Sequence, residues 1–246
     1  LSELETTSVD QVDPLYYIKY GPFVVATVRP ETIFGDVAVA VNPGDSRYKH
    51  LVGTEIEVEH PEKKVRLKVV ADDFVDLEFG TGAVKVTPAH DPNDFAMSQR
   101  HNLQAPIAID QFGKLTEICG KYVGLKVEEA RKKVVEDLQK LNLIEKIEEK
   151  YTHAVKRCYK CERILEPRIM PQWFVKMKPL AEKAISVIEK DEIIFYPENY
   201  KKIMLHWLNN IEDWNISRQI VWGIPIPAYY RGEEVHIGED MPAGDG

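Results

Sequence analysis

The stretch Phe79-Gly-Thr-Gly-Ala-Val-Lys-Val-Thr-Pro-Ala-His-Asp-Pro-Asn-Asp-Phe95 holds a turn, a strand and a helix start in unbroken succession. Gly80 and Gly82 mark the turn, and the run after it alternates, with Val84 and Val86 on one side and Ala83, Lys85 and Thr87 on the other. The valine side is expected to enter a core. Lys85 beside Thr87 then reads as a solvated strand face or a cleft wall, and taken alone the solvated face is the simpler reading. Asp91 followed by Pro92 is the signature of an N-cap with proline at the first helical position, which makes Asp94 the third helical residue. A helix N-terminus favours the charged carboxylate, so Asp94 reads as an anion where a substrate ammonium can dock. A strand feeding directly into a helix marks a fold in which both kinds of element share one core.

Outward from this stretch, the first half of the chain reads as short strands. Leu15 to Lys19, Phe23 to Arg29, Val37 to Val41, Glu55 to Val58, Val65 to Val70 and Ala83 to Thr87 are β-branched or aromatic runs punctuated by Gly21-Pro22, Asn42-Pro43-Gly44 and His60-Pro61. In Phe23-Val-Val-Ala-Thr-Val-Arg-Pro-Glu-Thr32, alternation puts Val25, Thr27 and Arg29 on one face and sends Val24, Ala26 and Val28 to the other. Pro30 ends that strand and presents Glu31 and Thr32 at its tip. A helix is predicted over about Val127 to Leu141, with Val127, Ala130, Val134, Leu138 and Leu141 on its apolar stripe and Glu128 and Glu129 four residues before Lys132 and Lys133. After Glu149 the texture changes to an extended stretch through Cys158-Tyr-Lys-Cys161, then to helical patterns near Pro179 to Glu189 and Glu198 to Glu212. Many short strands with turn signals favour a barrel or sandwich. The expected class is α+β: a β-barrel-like domain decorated with helices over residues 1–150, then a mixed α/β connecting segment over 151–246.

With 246 residues, 44% hydrophobic and 29% charged, the composition is that of an ordinary folded chain. The net charge of −8 argues against a surface that embraces nucleic acid or an anionic membrane throughout. It is unevenly spread, since His153 to Lys183 carries eight Lys/Arg against three Glu, a local +5 that leaves −13 elsewhere. No apolar run reaches membrane-spanning length, and the acidic Leu1-Ser-Glu-Leu-Glu start lacks a signal peptide's features. Without an initiator Met, an excised piece of a longer chain is expected. Cys119, Cys158 and Cys161 do not make a secreted disulfide framework, so a cytoplasmic location is expected.

The usual nucleophile elbow, phosphate loop and zinc-protease signatures are missing. His236-Ile-Gly-Glu resembles part of one but falls in a Gly-rich acidic tail and is assigned no function. His90, Asp91 and Asp94 also permit a metal-ligand reading, which would make a metal-dependent hydrolase, but no second His/Asp cluster of suitable spacing accompanies them.

Taken together, Thr27-Val-Arg-Pro-Glu-Thr-Ile-Phe-Gly-Asp36, Gly80 to Asp94, Pro171-Gln-Trp-Phe-Val-Lys-Met177 and Asp213-Trp-Asn-Ile-Ser-Arg-Gln219 resemble the class I aminoacyl-tRNA synthetases, most closely the valyl family. The likeness runs in order over nearly the whole chain and covers the editing insertion and its return toward the catalytic domain. Arg29-Pro-Glu-Thr32 with Lys85 and Thr87 favours valyl over the isoleucyl and leucyl alternatives. The two ATP-site signatures of the family are not in this chain, so ATP and magnesium belong to the full-length enzyme, editing takes no cofactor, and valine activation is not expected here.

The resemblance implies post-transfer editing, that is, hydrolysis of the aminoacyl ester of threonyl-tRNA(Val). An apolar pocket rejects an isostere with an added hydroxyl only weakly, so a second, polar site has to read that hydroxyl. By matching position, Asp94 would hold the substrate ammonium. Lys85, Thr87 and Asp91 would form the polar wall, with Phe79 as an apolar side. Arg29 would meet the phosphate or ribose of the terminal adenosine, Thr32 would restrict the pocket, and Thr27 would face the scissile ester. Val28 stands where many relatives carry Thr, and alternation points it to the core. The catalytic set is thus Thr27, Asp91 and Asp94, placing a water for direct attack, with His90 as a candidate base. Cys158 and Cys161 match half of a zinc site found in some relatives, but the partner pair expected after Pro227-Ala-Tyr-Tyr230 reads Arg231-Gly-Glu-Glu, so the site is incomplete unless His153 or another group completes it, and zinc is not expected. The implied partners are the tRNA(Val) 3′ end and the rest of the synthetase, with neither membrane nor DNA; a tRNA-binding module without turnover is the alternative.

Overall fold

A computed structural model describes residues 6–77, 80–218 and 222–240. The chain divides into two compact units, residues 3–169 and 170–246. In the first, β1 (Thr6–Tyr20), β2 (Phe23–Thr27), β3 (Ala38–Val41), β4 (Glu55–Glu59), β5 (Lys64–Ala71), β6 (Ala83–Val86), α1 (Pro92–His101), α2 (Val127–Lys140) and β7 (Ile144–Cys158) follow in that order. The hairpin between β1 and β2 turns on Gly21, whose positive φ and close approach to the Glu57 carbonyl suit no larger residue.

The strands form two sheets, an antiparallel one in the order β2-β1-β7 and a mixed one in the order β4-β5-β3-β6. Each is open among the described residues, where the sequence suggested a barrel-like closure. They are stitched where the Thr81 hydroxyl donates to the Val24 carbonyl, between β2 and the turn before β6. In the mixed sheet β3 is buried on both faces, while β4 and much of β5 alternate buried and exposed. Val39 and Val41 enter the larger core with Ile18, Tyr20, Phe23 and Val25, while Ala38 and Ala40 meet Val86 and Met97 of α1. The apolar stripe of α2, Ala130, Val134 and Leu138, closes the larger core as its 3.6-residue spacing predicts.

The expected boundary at residue 150 falls inside β7, which pairs with β1 from Ile144 to Cys158. The chain then doubles back, Cys158 N–H donating to Arg163 O at 2.9 Å and Leu165 N–H to Lys156 O at 2.9 Å, so the first unit runs on to residue 169. In the second unit, α3 (Lys178–Glu189) packs on α4 (Asn199–Asn209), β8 (Phe174–Val175) pairs with β9 (Trp214–Asn215), and β10 (Ala228–Arg231) pairs with β11 (Glu234–Ile237). His236 lies exposed on β11. Among the described residues no helix is long and apolar enough to cross a membrane.

Candidate functional site

A cavity of about 480 Å³ opens in the first unit where β2, β6 and the start of α1 converge. Seven of the eight residues singled out from the sequence line it: Thr27, Arg29, Thr32, Lys85, Thr87, Asp91 and Asp94. The eighth, Phe79, lies outside the described residues. Also at the wall are Val28, Phe74, Asp76, Tyr151 and His153, for which the sequence reading offered no such place. Val28 keeps the alternation of Val24 and Ala26, and Ala26 joins it at the wall; the core takes the other side of β2, Phe23 and Val25, which corrects the expectation that Val28 points inward.

Lys85 is not on a solvated face. It is 8% exposed, paired with Asp36 at 3.0 Å, and donates further to Thr32 Oγ1 at 3.1 Å and to Thr87 Oγ1. The strand side opposite the valines is covered by the larger core, so a cation there requires a buried anion, and Asp36 supplies it. Thr87 fixes a second group as well, its amide donating to Asp94 Oδ2 at 2.7 Å.

At the start of α1, Asp91 is the N-cap, accepting from the amides of Asn93 at 2.8 Å and Asp94 at 3.2 Å. Asp94 is buried one turn on, and burial together with the neighbouring Asp91 carboxylate pushes its carboxyl up to about 7. This corrects the expectation of an anion fixed by the helix N-terminus. That effect is worth roughly 0.3–1 kcal/mol and is overridden by desolvation next to a second acid.

His90 is no free base. Its Nε2 accepts from the amides of Ala108 at 2.9 Å and Ile109 at 3.2 Å, which places the ring proton on Nδ1. Burial and the nearby Arg29 guanidinium lower it to about 4. Its outward lone pair is therefore committed to the backbone, against both the general-base and the metal-ligand expectations. Among the described residues no group of three or more His, Cys, Asp or Glu could hold a metal ion. His153 hydrogen bonds Asp13 at 2.9 Å and stacks on Tyr151. Cys158 lies five positions further along β7, about 17 Å away at the strand rise, so His153 does not join the cysteine pair. The Cys161 and Lys160 amides lower the Cys158 thiol.

Arg29 faces the cavity but is engaged. Nη1 donates to His90 O at 2.9 Å, Nη2 pairs with Glu166, and Nε lies 3.5 Å from Glu31. Burial pushes the Glu166 carboxyl up from its ordinary value against the pull of Arg29. Glu31 is fully buried and takes a bidentate pair from Arg131 of α2 at 2.8 and 2.9 Å. These acids were not singled out by strand alternation, because they sit in a 3-10 turn and a returning loop. The signal that points to Glu31 is Arg131, a cation next to the apolar stripe of α2. Thr27 Oγ1 accepts the Arg29 amide at 3.0 Å and keeps its own proton available to a ligand.

The family model for tRNA synthetases class I (I, L, M and V) matches residues 1–243. The chain is 51% identical over 236 residues to a valine–tRNA ligase of Petrotoga mobilis, covering 94% of this chain and 27% of that protein. It is 49% identical over 249 residues to a valine–tRNA ligase of Carboxydothermus hydrogenoformans, covering 99% and 28%, and 48% identical over 243 residues to one of Thermotoga maritima, covering 96% and 28%. The chain spans just over a quarter of the length of these curated relatives. With nearly its whole length matched by the family model and about half its residues shared with those ligases, the chain belongs to the class I tRNA synthetases.

Proposed function

We propose that this chain is the editing part of a valyl-tRNA synthetase and hydrolyses the ester that links threonine to the 3′ end of tRNA(Val). The observation that carries the reading is the convergence of a buried ammonium, two threonine hydroxyls and two carboxyls on one cavity wall, at Lys85, Thr32, Thr87, Asp91 and Asp94. An apolar synthetic pocket lacks the means to reject threonine, and this cavity has polar partners for its hydroxyl. Asp94 takes the α-ammonium and becomes anionic on doing so. Thr27 has a hydroxyl proton to give to the developing oxyanion, while the attacking water passes its own proton toward the leaving ribose oxygen. Water adds to the ester carbonyl, the carbon–oxygen bond to the ribose breaks, and the ribose hydroxyl leaves with a proton. Arg29 releases Glu166 to meet a phosphate or ribose of the terminal adenosine. The Cys158 and Cys161 thiols offer two of the four ligands of a structural zinc and take no part in hydrolysis.

A second reading, a tRNA-binding module without turnover, is favoured by one observation: His90, the ring nearest the acids in sequence, is locked in a backbone bond. The test is deacylation of threonyl-tRNA(Val) and valyl-tRNA(Val) by the chain, with and without chelator. Selective loss of the threonyl ester, insensitive to chelator, is expected. Survival of both esters while the tRNA still binds would establish the module reading instead. Asp94→Ala is expected to lower threonyl deacylation by at least about tenfold, the scale of losing one charge-assisted contact.

A further inference from the structure

The polar cluster under the cavity is organised by a carboxylate that does not line it. Asp36 follows the 3-10 turn, its amide donating to Ile33 O at 3.1 Å and its side chain shut off from solvent. Oδ2 accepts the Tyr20 hydroxyl at 2.6 Å, while Oδ1 accepts from Lys85 Nζ at 3.0 Å and from the Thr87 hydroxyl. The Lys85 ammonium has three protons and three acceptors, Asp36 Oδ1, Thr32 Oγ1 and Thr87 Oγ1. The two threonines are not equivalent. Thr87 gives its own proton to Asp36 and is tied to the ion pair at both ends. Thr32 gives its proton outside the cluster, to Arg29 O at 2.9 Å, and keeps that bond if Lys85 lets go.

We propose that Asp36 is a positioning residue for selectivity: it holds Lys85 and Thr87 in place, so that a substrate hydroxyl enters by replacing Thr32 Oγ1 on the Lys85 ammonium. The inference rests on the editing reading above. Exchanging one alcohol oxygen for another leaves the ammonium fully bonded. A methyl group in the same place leaves a buried ammonium proton without an acceptor, which separates threonine from valine. Asp36 makes the exchange selective because it is the partner that does not move. Replaced by an amide, its oxygen can still accept from Lys85, but the buried ammonium loses the anion paired with it, and Lys85 would leave its seat.

The test uses the full chain as wild type, Asp36→Asn and Tyr20→Phe, the last removing a single hydrogen bond to Asp36. The Lys85 ammonium is followed by proton–nitrogen correlation spectroscopy and assigned with Lys85→Met. A signal protected from solvent exchange is expected in wild type and Tyr20→Phe, and its loss in Asp36→Asn. Each protein is then titrated with the non-hydrolysable threonyl and valyl amides of 3′-amino-3′-deoxyadenosine. The preference for the threonyl amide is expected to fall by about tenfold or more in Asp36→Asn and less in Tyr20→Phe. Because the ratio compares two ligands on one protein, a loss of folded fraction cancels from it. Wild type that prefers the threonyl amide, with Asp36→Asn keeping that preference or a protected ammonium, overturns the role of Asp36 and leaves the editing reading standing. Wild type that binds neither amide overturns the editing reading, and the selectivity role falls with it.

Discussion

Asp94 links the residue scale to a measurable pH dependence. Its carboxyl is raised in the folded chain from 3.8 to about 7. A raised group of this kind favours folding fully below its unfolded value and loses that contribution as pH climbs through its folded value. Stability is therefore expected to decline between about pH 4 and pH 7, by up to about 4 kcal/mol from this group. Asp94→Asn keeps an oxygen to accept the Thr87 amide and cannot ionise. Denaturant melts at pH 4 and pH 8 are expected to show near-equal stability at the acid end and a more stable variant at the other; a variant less stable at pH 8 would refute the assignment. Thr27, Arg29, Lys85, Thr87, Asp91 and Asp94 were legible as site residues through the family resemblance, whereas alternation alone left Lys85 and Thr87 on a solvated face. Their charge states and partners were not, since those depend on Asp36, Glu166 and other groups brought in by distant parts of the chain.

Among elements, the bent 3-10 turn over Pro30–Gly35 is fixed from outside, by α2. Arg131→Met leaves Glu31 buried with Arg29 at 3.5 Å as its remaining cation. Breaking a buried pair from one side costs roughly 3–5 kcal/mol, and the lower part of that range is expected because Arg131 is partly exposed. Urea titration should show the loss, and Glu31→Gln combined with Arg131→Met should recover part of it. An unchanged midpoint in the single variant would remove α2 from the account of how the turn is held. The apolar stripe of α2 and the N-cap of α1 could be read directly because each is a local pattern. The extent of β7 could not. Its alternation is diluted by Glu and Lys, as befits a two-stranded ribbon beyond Tyr151 with neither face fully buried.

For the whole molecule, the second unit carries an apolar groove lined by Tyr196, Tyr200, Ile203, Met204, Trp207 and Leu208. Trp207, Trp214 and Trp222 are 71%, 59% and 92% exposed. Apolar surface of that kind favours association. Concentration-dependent sedimentation is expected, reduced by Trp207→Ser; a single species at all concentrations would show that the surface is inert. The division of the chain was legible only as a change of texture, because β7 carries the first unit past residue 150 without any break in composition.

The pairing of Thr6 with Cys158 has a mechanical consequence. The start of β1 and the end of β7 lie side by side, so tension drawing those two ends apart loads the ladder one rung at a time. Such a ribbon peels open at low force, whereas strands pulled along their length share the load over many bonds. The register break between Asp13 and Leu15 is where that peeling would meet the packed sheet. Tension at the exit, by contrast, arrives through the returning segment, where Glu166 holds Arg29, so that ion pair at the cavity is loaded from residue 169 before the ladder is.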